Sequence, residues 1–143
     1  MTTNTACRYE TAAREYNEQI RQGQLGAAYA TLLEMSAARL EEGGYIDALK
    51  LEMLAFYLTT SGAFRLPVIE ADLVGLIDRA VRNANLTLHE REELFMDTVR
   101  KDTTPTHIMS VKDCTYIFDV CAAGRVEDAR EMLRRFVMAD GKK

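Results

Sequence analysis

Apolar residues recur along this chain at intervals of three and four, the period of helices that bury one stripe, and sustained alternation of the kind strands show is missing. Tyr9, Ala12, Ala13, Tyr16 and Ile20 make the first stripe, and Gly23 and Gly26 interrupt it. A second helix carries Leu25, Ala28, Tyr29, Leu32, Leu33, Ser36 and Leu40 on one face and ends at Gly43-Gly44. A third runs from Tyr45 to about Ser61 and stops at Gly62. The segment "GAFRLP" (62–67) is the chief break, and Pro67 suits the first position of a fourth helix, where its missing N–H costs nothing. That helix bears Ile69, Leu73, Leu76, Ile77, Ala80 and Val81, and Asn83 and Asn85 close it. "TLHE" (Thr87 to Glu90) reads as a capping box opening a fifth helix with Leu88, Leu94, Phe95 and Val99. Pro105 forbids continuation, and "DTTPTHIM" is the longest loop. Ser110 with Asp113 begins a sixth helix (Val111, Cys114, Ile117, Phe118, Cys121), and Gly124 turns the chain into a seventh (Val126, Ala129, Leu133, Phe136, Val137). The predicted fold is all-α: one domain of about seven helices arranged as packed antiparallel hairpins, in a bundle or a short solenoid-like stack. Its N-terminal part spans about 6–62 and its C-terminal part about 67–139.

The third helix departs from the amphipathic pattern. At 100° per residue, Asp47 and Lys50 begin its polar side, but the same side continues as Leu54, Tyr57 and Leu58. "MLAFYL" (Met53 to Leu58) is apolar around its circumference. Leaving large side chains of that kind in water forgoes roughly 1.5–3 kcal/mol each, so this helix has to be covered on both sides. Three coverings satisfy that requirement. The helix is central in the fold, flanked by the N-terminal pair and the helices of 68–102; or it pairs with a copy of itself, as in the common two-fold dimers; or it receives another protein's amphipathic helix. Met53, Leu54, Tyr57 and Leu58 are the candidate partner-binding residues on the last two readings. Glu52 falls between Tyr45 and Phe56 on a side that should be buried, where pairing, for instance with Arg39, or snorkelling is expected.

A spacing of glycine, four residues and alanine stands at Gly23/Ala28, Gly43/Ala48 and Gly124/Ala129. The segment "GGYIDALKLEMLAFYL" resembles part of a tetratricopeptide unit, and "AGRVEDAREML" is similar to a turn in pentatricopeptide proteins. Those families repeat at a fixed period near 34–35 residues, whereas the glycines here are 20 and then 81 residues apart. The pattern is therefore assigned to hairpin physics: glycine for the turn, alanine for close approach of two helices. The last of the three also has the outline of a helix-turn-helix. Its second helix opens with Glu127, Asp128 and Glu131, which oppose a phosphate backbone but suit the helix's own positive end, with Arg134 and Arg135 expected near its negative end.

Charge adds little to the case for nucleic acid. The net charge is −4, made of −3 over residues 1–62, −2 over 63–102 and +1 over 103–143, so no segment is strongly basic. A chain of 143 residues buries enough surface to fold without metal or disulfide staples. Three scattered cysteines, Cys7, Cys114 and Cys121, fit a reducing compartment. "MTTNTACRYE" lacks the basic and apolar regions of a signal peptide, and neither terminus carries a lipidation motif. The expectation is a soluble, cytoplasmic protein without a membrane span.

Motifs that carry chemistry are sparse. Cys114 and Cys121 lie on an apolar stripe as small core residues do; His89 sits in an exposed first turn and His107 in a loop. No phosphate loop, nucleophile elbow or zinc motif is present. Glu90 and Glu93 match the first half of the magnesium site in all-helical nucleotide hydrolases of the MazG type, an ExxE helix, but the later ExxD helix has no counterpart. The leading expectation is a non-catalytic protein–protein interaction module (adaptor, chaperone-like or regulatory), binding another protein or itself as a homodimer, with no cofactor, no metal and no membrane. The alternatives are a metal-dependent all-α hydrolase using Glu90 and Glu93, and a nucleic-acid-binding regulator using the C-terminal hairpin.

Overall fold

The computed structural model describes residues 2–59, 70–99 and 111–141, with side chains over 9–59, 70–99 and 112–135. The described residues hold seven helices and no strand: α1 (Thr2–Arg21), α2 (Leu25–Glu41), α3 (Tyr45–Thr59), α4 (Ala71–Ala84), α5 (Leu88–Val99), α6 (Val111–Ala122) and α7 (Val126–Gly141). The all-α reading is therefore correct. Pro67, Ser110, Pro105, His107 and the "DTTPTHIM" loop lie outside the described residues.

The three glycine–alanine hairpins are built alike. Gly23, Gly43 and Gly124 adopt φ of 73°, 82° and 85°, a left-handed conformation that a side chain would strain. The residue after each donates its N–H back across the turn, Gln24 to Gln19 O, Gly44 to Arg39 O and Arg125 to Val120 O, while the glycine N–H reaches Ile20, Leu40 or Cys121 O. These paired bonds satisfy the last carbonyls of each helix, the Schellman arrangement. Ala28, Ala48 and Ala129 are fully buried where the following helix folds back, and each donates the first bond of its own helix to Gln24, Gly44 or Arg125 O. Gly26 lies within the first turn of α2 and does not interrupt it, so one glycine suffices at that turn. Asn85, at φ 57°, closes α4 in the same left-handed way without glycine. Thr87 and Glu90 form the expected capping box, Thr87 N–H to Glu90 Oε1 at 2.9 Å and Glu90 N–H to Thr87 Oγ1 at 3.1 Å.

Packing proceeds mainly between helices close in sequence. α3 touches α2, α4, α5 and α6; α1 packs chiefly on α2, and α7 chiefly on α6. The centre of the core is a trio of phenylalanines, one from each of three helices. Phe56 meets Phe118 edge-on with centroids 5.4 Å apart and Phe95 at 6.4 Å, and Phe95 and Phe118 are 5.3 Å apart. Edge-to-face pairs at these distances favour one arrangement over sliding alternatives. α1 is fastened at the far side by Arg39 of α2, whose guanidinium lies 3.7 Å from the centre of the Tyr9 ring. No described helix is long and apolar enough to cross a membrane.

Candidate functional site

The all-round apolar helix is the middle of the fold. Met53 and Leu58 retain 0 % and 1 % of their surface, covered by neighbours within the chain. These two residues of the expected partner surface therefore offer no accessible area while the fold is closed. What α3 shows to solvent is a narrow seam, Ile46, Asp47, Lys50, Leu54 and Tyr57, with Leu54 and Tyr57 half-buried against the core and Tyr57 edge-on to Phe95 at 6.4 Å.

Glu52 lies inside, as the periodicity required, but its partner is not Arg39. Arg39 is engaged by Glu42 at 3.0 Å and by the Tyr9 ring. Glu52 is fully buried, Ser36 of α2 donates its hydroxyl to Glu52 Oε2 at 2.6 Å, and Oε1 has no hydrogen-bond partner. Burial pushes the Glu52 carboxyl up to about 8, with the Ser36 hydrogen bond and the charge of Arg79 pulling the other way. At neutral pH it is mainly protonated, which is how an acid persists in an apolar interior.

A second inward carboxyl belongs to α6. Asp119 Oδ1 lies 3.6 Å from Arg91 Nε of α5, both side chains nearly buried, a separation of an ion pair rather than a good hydrogen bond. Burial raises Asp119 to about 6, the Arg91 charge opposes that rise, and the neighbouring Glu92 carboxylate reinforces it. This pair joins two helices that run antiparallel, since Arg91 faces Asp119 while Met96, further along α5, shares a groove with Lys112 and Thr115 nearer the start of α6.

That groove, of about 340 Å³, is lined by His89, Glu92, Glu93, Met96, Lys112 and Thr115. Among the described residues the exposed large apolar side chains are Ile46, Leu88, Met96 and Tyr116, each 43–55 % accessible, and three of these four stand on α5 and α6. Sequence reading passed over them. Leu88 belongs to the buried stripe of α5 but begins the helix, beyond the cover of its neighbours. Met96 and Tyr116 lie off the stripes that locate Phe95 and Phe118, and a large apolar residue off its stripe was the signal available.

The residues of the other readings are placed as follows. Glu90 is committed to the Thr87 cap, which lowers its pKa by hydrogen bonding, and Glu93 accepts from His89 Nε2 at 2.9 Å. No group of three His, Cys, Asp or Glu side chains able to hold a metal occurs among the described residues. Cys114 and Cys121 are buried in the core, and burial pushes the Cys121 thiol up to about 11. Along α7 the arginines face acids of their own helix: Arg125 with Asp128, Arg130 with Glu127, and Arg134 and Arg135 with Glu131. Their charge is spent locally: Glu127 and Asp128 stand in the first turn as the helix-dipole reading anticipated, but α7 runs on to Gly141 with no basic residue in its last turn, so Arg134 and Arg135 do not sit at its negative end. Comparison of the chain with protein families, with curated proteins and with solved structures returned no match.

Proposed function

We propose that this protein is a small cytoplasmic interaction module, an adaptor or regulatory protein without catalytic activity, that binds through apolar helical surface. The observation that carries the proposal is that Leu88, Met96 and Tyr116, three of the four large apolar side chains exposed among the described residues, stand on the adjoining helices α5 and α6, where Met96 lines a groove, when single exposed apolar residues are ordinarily scattered. Leu54 and Tyr57, the part of the expected α3 surface that still reaches solvent, form a second seam. A two-fold dimer is the simplest occupant for that seam.

The test starts from capture of partners in the native host and continues with a complex remade from purified components. Met96→Asp with Tyr116→Asp should abolish that complex while leaving the helical circular dichroism intact. Light scattering on a sizing column, with Leu54→Asp and Tyr57→Asp beside the wild type, reads self-association. A purified complex indifferent to both pairs of substitutions, together with a monomeric wild type, removes the reading.

A further inference from the structure

Within the reading just given, we infer that the α5–α6 groove receives a cationic amphipathic helix of another protein, its apolar face on Met96 and its basic residues against the acidic rim. The inference rests on the interaction-module reading and adds the chemistry of the partner.

Charge is the first argument. α5 and α6 together carry six acids (Glu90, Glu92, Glu93, Asp97, Asp113, Asp119) against two bases, Arg91 and Lys112. That excess of four equals the net charge of the whole chain, so everything else in the molecule balances to zero. Arg91 and Asp119 face each other inside, which leaves Glu90, Glu92, Glu93, Asp97 and Asp113 against Lys112 on the outer sides of two helices that also carry three of the four large apolar side chains exposed among the described residues. Coincident apolar and charged character is what an amphipathic helix complements, apolar face to groove and basic flank to rim.

Geometry is the second. Two antiparallel helices leave a trough between them, and Met96 and Thr115 line this one, with Glu92, Glu93 and His89 along the α5 side and Lys112 on the α6 side, so the acidic rim is that of α5. An unbranched thioether adapts to different apolar side chains, as a receptor for a helix requires. A second copy of the same face is a poor occupant, because a two-fold axis would set one acidic rim against the other.

The experiment uses the full chain and three fluorescent peptides of about 18 residues, roughly five helical turns. One has leucine on one face and lysine on the other; a second replaces lysine by glutamate; a third scrambles the first so that no apolar face forms. The Leu/Lys peptide should bind, weaken several-fold when salt rises across the physiological range, and weaken about ten-fold with Glu93→Lys and again with Met96→Asp, a ten-fold change being readily resolved by polarisation. Both substituted side chains are exposed, and circular dichroism verifies that each variant is folded. Equal binding of the Leu/Glu peptide would remove the charge argument, and equal binding of the scrambled peptide would reduce the contact to bulk charge; either overturns the inference. So does Leu/Lys binding that ignores both variants. If the Leu/Lys peptide fails to bind while Met96→Asp with Tyr116→Asp still breaks a purified complex, the cationic partner is wrong and the interaction module stands. If neither has any effect, both fall.

Discussion

Two helix–helix contacts in this molecule are each built around an inward carboxyl, and they behave differently. Between α2 and α3, Glu52 is sealed from water with Ser36 as its one hydrogen-bond partner. Between α5 and α6, Asp119 keeps a little exposure, an arginine at 3.6 Å and a second carboxylate beside it. The sealed acid is driven to about 8 and stays protonated at neutral pH, whereas the one at the groove is driven only to about 6 and is then ionised. Depth of burial, more than the identity of the acid, decides which contact is a structural rivet and which remains charged beside a surface a partner can reach. The same division separates two of the methionines, Met53 in the dry centre and Met96 at the groove.

The largest expected effect lies at the sealed side. Phe56→Ala removes the ring that touches both Phe95 and Phe118, and a loss of about 3–5 kcal/mol is expected in urea unfolding. Met96→Ala, an apolar truncation on the open side, should cost less than about 0.5 kcal/mol. Comparable losses at both sites would erase the contrast.

The carboxyls sharpen it through pH. Glu52 binds its proton more tightly folded than unfolded, so the folded state holds the extra proton between about 4.5 and 8. Its stabilising contribution is complete below 4.5 and is lost as pH rises towards 8, at up to about 1.4 kcal/mol per pH unit. For Asp119 the sign is the same and the window is 3.8 to about 6. Between pH 6.5 and 7.5, then, the slope from these two carboxyls belongs mainly to Glu52. Glu52→Gln should flatten the melting temperature over that interval, and Asp119→Asn should leave the slope intact there while reducing it between pH 4 and 6. The opposite pattern would mean the two burials are assigned the wrong way round.

Smaller effects come from the hairpin turns and the caps. Gly124→Ala puts a side chain at φ 85° and should cost about 1–2 kcal/mol, and Thr87→Ala, which removes the capping hydroxyl of α5, about 1 kcal/mol. Arg134→Ala, deleting an exposed pair within one helix, should change thermal stability by less than about 0.5 kcal/mol.

Most of the fold was legible because its turns are chemically explicit. Glycine five residues before alanine marked all three tight hairpins, although the same spacing at Gly75 and Ala80 lies inside α4 and marks no turn, and "TLHE" marked the cap of α5. Glu52 was legible as a polar residue on a buried face, and Ser36 likewise stood in the apolar stripe of α2. Pairing them needed the register across the turn: residues 36 and 52 are symmetric about Gly44, just as Gln19 and Thr31, bonded at 2.7 Å, lie symmetrically around the first turn. Local pattern gives each face but not the match of two faces, and Arg39 was the nearer guess for that reason. The groove was less legible still. That Leu88 is bare while Phe95, on nearly the same face, is buried depends on where α3 and α6 end their cover, a property of assembled helices that no single stripe contains.

One spectrum can weigh the two sides against each other. With methionine methyl groups isotopically labelled, the Leu/Lys peptide is titrated into the full chain and the Met53 and Met96 resonances are followed together. Met96 should shift progressively with peptide while Met53, shielded by α2 and its neighbours, stays in place. Movement of Met53 with a stationary Met96 would mean that the greasy central helix, and not the acidic groove, is what this protein offers to others.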